Sequence, residues 1–115
     1  MAPQNSACVV TVVARGNRAV WVRLIGALDI DARPALAATT TQLSRLAPGA
    51  VILDFAGVTF AGAALCHFLE QIHRNLPGAP ILMQHASPQT RLVMIATGTD
   101  SLVVHDEEQL PWSAT

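Results

Sequence analysis

Four histidines, two cysteines and a few carboxylates are the residues of this chain with chemistry to offer. His67, His73, His85 and His105 are spread over several expected elements. His67 and His73 miss the i, i+4 spacing that sets two imidazoles on one helix face for zinc, so no metal site is expected. Cys8 and Cys66 show neither C-x-x-C nor metal spacing. They read as small buried hydrophobes in a reducing cytoplasm, with no disulfide. His105 and Asp106 are adjacent and able to pair, but a lone dyad at the edge of an acidic segment is thin support for acid–base catalysis. Asp29 and Asp54 fall at expected strand ends, where α/β proteins often hold functional groups. Asp54 reads more simply as a carboxylate that caps a turn. Gly57 and Gly62 make no phosphate loop, because no Gly-Lys pair follows them. There is no G-x-S-x-G elbow, and alanines occupy the place where such an enzyme keeps its nucleophile. No catalytic residue, metal or cofactor is expected, and the chain reads as a binding protein rather than an enzyme.

Composition narrows the classes further. A chain of 115 residues fits one domain and is long enough to bury a core without disulfides or metals. With 51% apolar residues it has the means to fold, and disorder is not expected. A formal charge of −1 offers no grip on a polyanion, which argues against nucleic acid as a partner. The opening residues carry no basic segment followed by an apolar one, so no signal peptide is expected. The most apolar stretch, 51–69, is interrupted by Asp54, Gly57, Gly62 and His67. It reads as a strand, a turn and a helix, not as a membrane span. The expectation is a soluble cytoplasmic domain over 8–108, with short termini at 1–7 and 109–115.

The elements that position these residues follow from periodicity. Residues 8–14 are β-branched and short, a strand. Gly16-Asn17 suits a two-residue hairpin turn, and 19–25 returns with Val20, Val22 and Leu24 on one face. Gly26 is expected to break that strand. Asp29 to Pro34 open a helix, Pro being tolerated in its first turn, with Leu36, Thr40, Leu43 and Ala47 at helical spacing until Pro48-Gly49. The continuous apolar run 50–55 is expected of a parallel strand buried on both faces. A turn at Ala56-Gly57 then leads to a second helix over 63–76, whose stripe is Leu65, Phe68 or Leu69, Ile72 and Leu76. A strand at 80–84 follows. Ser87 caps a third helix that begins at Pro88 and ends at Gly98. The last strand is expected at 102–104, before a solvated tail from Asp106. The class is α/β: a mixed sheet made of an N-terminal hairpin and βαβ crossovers, with helices packed on it.

Three strings in this order resemble the STAS domain, the family of bacterial anti-sigma factor antagonists. They are Gly26-Ala-Leu-Asp-Ile30 before the first helix, Ile52-Leu-Asp-Phe-Ala-Gly-Val-Thr-Phe60 along the central strand, and Ser87-Pro88 through Ile95-Ala-Thr-Gly98 in the later helix. The likeness spans about residues 8 to 106. It implies a module that binds an anti-sigma factor, usually a serine kinase, and so regulates transcription. In the family the kinase phosphorylates a Ser in a D-S-S-G or D-S-T-G loop at the start of the second helix, and the phosphate ends the association.

Here that loop reads Gly62-Ala63-Ala64-Leu65. Aligned without gaps, Gly62 replaces the Asp and Ala64 stands at the acceptor position; a shift by one puts Ala63 there. Either way the acceptor hydroxyl is absent. The resemblance therefore implies an antagonist fixed in its binding form, contacting its partner through Asp29, Thr59 and Gly62 to Leu65. Gly-Ala-Ala-Leu reads equally as close packing of a helix on its sheet. A small-molecule or nucleotide sensor, or a non-switching scaffold subunit, is the alternative function. The lack of Lys or Arg in the sequence near this helix start weighs against a phosphate ligand.

Overall fold

A computed structural model describes residues 8–15 and 18–105. The elements run β1 (Val9–Arg15), β2 (Ala19–Leu28), α1 (Arg33–Leu46), β3 (Ala50–Ala61), α2 (Ala63–Asn75), β4 (Ile81–Gln84), α3 (Pro88–Thr97) and β5 (Val104–His105). Short 3-10 turns at Ile30–Ala32 and Thr99–Leu102 precede α1 and β5. The five strands form one sheet in sequential order, with β1 antiparallel to β2 and the remaining neighbours parallel. This is the expected mixed α/β sheet. The expected turn at Gly16-Asn17 and the tail from Asp106 lie outside the described residues.

Three parallel crossovers that all step the same way along a sheet put their helices on one face, because each is right-handed. Accordingly α1 packs on α2, and α2 on α3. The strand side chains on that face are buried: Val20, Val22 and Leu24 from β2, Val51 and Leu53 from β3, Ile81 and Met83 from β4. Leu65, Phe68, Leu69 and Ile72 of α2 meet them, as the helical spacing predicts. At roughly 1.5–3 kcal/mol for each large side chain taken from water, this shared cluster is what holds the helices to the sheet.

Local signals act as read at α3. Ser87 Oγ accepts a hydrogen bond from Thr90 N at 3.1 Å, Pro88 opens the helix, and Gly98 closes it with a left-handed φ of 83°. Two expected breaks are absent. β2 runs through Gly26, and β3 runs through Ala56-Gly57 to Ala61, with register shifts between Arg23 and Ile25 and between Gly26 and Ala27. Bulges absorb the extra residues of β3, so the pair bends and stays paired. Glycine permits this at both positions. Gly26 sits at φ 104°, and a Cβ on Gly57 would fall 3.0 Å from Ile25 Cγ1. Ala47 is a left-handed, exposed helix end, not part of the buried stripe, which uses Thr39 instead. Residues 99–102 form a 3-10 turn where part of the last strand was expected, and β5 follows it. No helix among the described residues is long and apolar enough to cross a membrane.

Candidate functional site

The bulged ends of β2 and β3 carry the chain past the sheet before each next helix begins. Asp29 follows β2, and its Oδ1 accepts from Asp31 N at 3.0 Å, starting the turn that leads into α1. Gly62 follows β3, donates its N–H to Leu28 O at 3.1 Å, and so ties the start of α2 to the end of β2. Its backbone is extended, and α2 has no side-chain cap. Between the two helix starts lies a cleft of about 400 Å³.

Asp29 and Ile30 form one wall of the cleft, Phe60 another, and Gly62, Ala63 and Ala64 its α2 side, with Arg33 and His67 reaching in from the two helices. Thus the structure brings together Asp29, Gly62, Ala63 and Ala64 from the expected set. Thr59 is exposed, at the extra residue of the second bulge, beside the cleft rather than in its lining. Leu65 does not belong to a contact surface. It is fully buried and packs in the core, because the helix turn that exposes Ala63 aims Leu65 at the sheet. Ala64 is only 8% exposed. It floors this cleft and also a larger groove of about 680 Å³ between α1 and α2. Ala64 thus packs closely against the fold and also lines the cleft.

Four lining residues were not anticipated. Ile30 is 71% exposed and Phe60 48%, an apolar pair on the rim that water would not select. Arg33 comes from the start of α1, remote in sequence from α2, so a search of the local sequence for cations misses it. His67 lies on the turn of α2 after Ala63 and Ala64. The cleft therefore holds Arg33, the positive end of the α2 dipole and the carboxylate of Asp29, a mixed field without a dominant sign. Asp29 acts elsewhere too. Burial, and then the charge of Asp29, push the Cys8 thiol above its ordinary value. Burial and depletion of the thiolate mean that Cys8 in the folded protein should alkylate more slowly than in urea, which peptide mass mapping after a timed iodoacetamide pulse would measure. By linkage, the stability tied to this thiol is full below the unfolded-state pKa and is lost as pH rises through the folded-state value.

Several other polar residues among those described serve the fold. Asp54 Oδ1 accepts from Ala56 N at 3.0 Å and so caps the first bulge. Its Oδ2 lies 3.7 Å from Arg23 Nε, a pair weakened by the 61% exposure of the arginine side chain. His105 pairs with Asp100, Nε2 to Oδ1 at 2.7 Å, across the turn before β5; Asp106, the neighbour that the sequence offers for the same pairing, lies outside the described residues. Cys66 contacts the Thr97 hydroxyl at 3.2 Å, and both cysteines are free and buried. His67, His73 and His85 are exposed. Among the described residues no three His, Cys, Asp or Glu side chains gather closely enough to hold a metal ion.

No protein-family model and no curated protein matches the sequence. Solved structures do match the fold. The anti-sigma factor antagonist SpoIIAA in its unphosphorylated form superposes with a TM-score of 0.71 at 17% identity, over 93% of this chain and 98% of that one. An anti-sigma factor antagonist from Mycobacterium paratuberculosis gives 0.67 at 21% identity, over 91% and 90%. The Bacillus cell fate determinant SpoIIAA in its phosphorylated form gives 0.61 at 17%, over 91% and 99%. The chain has the STAS-like fold of these antagonists, with its five-stranded mixed sheet and three helices.

Proposed function

We propose that this chain is a non-catalytic regulatory module of the anti-sigma factor antagonist kind, acting in the bacterial cytoplasm on an anti-sigma factor or related serine kinase. The binding surface is the cleft rim: Asp29, Ile30, Thr59, Phe60, Gly62 and Ala63, with Ala64 as its floor. The observation that carries this reading is the exposed pair Ile30 and Phe60 beside a helix start without hydroxyls. Apolar side chains of this size at a cleft edge gain most when a partner removes them from water.

Phosphate at a helix N-terminus is well tolerated by a fold, since free N–H groups and the dipole favour it. A phosphate switch here therefore has to act by forcing about 1.5–2 negative charges against the partner. Ala63 and Ala64 cannot receive that charge, so the module stays in its binding form. Incubation with a purified anti-sigma factor kinase and Mg-ATP should leave the intact mass unchanged. A phosphate mapped to Thr59, the exposed hydroxyl nearest this helix start in sequence, would mean that the switch has moved and that the fixed-form reading is wrong.

A small-molecule or nucleotide sensor is the second reading, and the arrival of Arg33 and His67 at the cleft is what favours it. A ligand at about 100 times its dissociation constant adds about 2.7 kcal/mol of stability. A nucleotide and metabolite panel read by thermal shift separates the two, because the antagonist reading predicts no upward shift.

A further inference from the structure

The face of the sheet turned away from the helices is apolar and open. Val9 and Val13 of β1, Ile25 of β2 and Val104 of β5 are 52%, 44%, 41% and 44% exposed. By register Trp21, Ile52 and Leu82 share that face and fill the space between them, each only partly buried. Scattered exposed hydrophobes are ordinary; a set that crosses all five strands marks an interface.

We infer that a second copy of this chain packs here, sheet against sheet. Area is the first argument. Strands of 7, 10, 12, 4 and 2 residues, spaced by about 4.8 Å and rising about 3.3 Å per residue, outline roughly 550 Å² per copy. Two such faces bury about 1,100 Å² in total, above the roughly 1,000 Å² that a biological interface has to clear and in the range of a reversible, concentration-dependent dimer. Charge is the second. Arg23 and Asp54, 3.7 Å apart, form a neutral pair that register places among these apolar side chains, and Arg15, two residues beyond Val13, ends β1 at the edge of the face. The middle of an identical face therefore meets no net charge, while a strongly acidic or basic partner finds little there to steer it. Open sheet faces of this kind pack about 10 Å apart with strands inclined by about 30°. A two-fold axis lets one patch serve both copies. The inference does not rest on the partner proposed above.

Sedimentation equilibrium of the full chain, from about 1 to 500 µM, tests it. The expected result is a mass that rises to twice that of the chain. Val13→Glu with Ile25→Glu should raise the dimer dissociation constant by about a hundredfold or more, because two carboxylates per copy would be desolvated without partners. Should that variant fail to fold, Val13→Thr with Ile25→Thr keeps the β-branched shape at position 13 and removes apolar surface. It should weaken the dimer while circular dichroism stays unchanged. A full chain that remains monomeric at the highest concentration overturns the inference. So does a dimer unaffected in the folded variants.

Discussion

Ala63→Glu is expected to weaken binding of the anti-sigma factor partner by a hundredfold or more while leaving the free domain nearly unchanged. Ala63 is exposed in the first turn of α2. A carboxylate there gains roughly 0.3–1 kcal/mol from the helix dipole when it is hydrated, so the denaturation midpoint should move by no more than about 0.5 kcal/mol. In the complex the same group would lose its water against a surface shaped for a methyl group. An unpaired charge desolvated in this way costs several kcal/mol, which is upwards of a hundredfold in affinity. Calorimetric titration of the partner and urea denaturation of the free variant give the two numbers. Unchanged affinity would remove the start of α2 from the interface.

Leu65→Ala has the opposite signature. Two residues further along the helix, Leu65 is fully buried within the core cluster. Truncating it removes apolar contacts and leaves a cavity, at a cost of about 2–5 kcal/mol. Against a total stability of roughly 5–15 kcal/mol the loss is large, and the midpoint should fall accordingly. The fraction that remains folded should bind the partner as tightly as the parent does. A variant of parental stability with lost affinity would return Leu65 to the binding surface and reverse its assignment here.

The contrast between Ala63 and Leu65 shows which parts of this protein its sequence makes legible. Periodicity alone identifies the α2 stripe, and the signals around α3, Ser87, Pro88 and Gly98, act in the structure as they read in the chain. Glycine is less transparent. Gly26 and Gly57 read as breaks, yet they sit in bulges that let β2 and β3 continue, because a residue without Cβ serves a bend as well as a stop. The string Gly62 to Leu65 points to the correct end of the molecule but cannot say which of its side chains faces out, since a one-residue step on a helix turns a side chain by about 100°. Arg33 and Ile30 reach the cleft only through the packing of α1 beside α2, a tertiary event with no local signature. Phe60 did carry a signal, a large aromatic at the end of a strand just before an uncapped helix.

A single binding experiment bears most directly on the proposed function. The chain is mixed with a purified serine-kinase anti-sigma factor from its own source, Mg-ATP is added, and the complex is followed over time by size-exclusion chromatography with light scattering. With no hydroxyl at Ala63 or Ala64, the complex should form and persist undiminished for as long as ATP is present. Failure to form any complex, or a complex that dissociates after ATP is added, would contradict a module held permanently in its binding form.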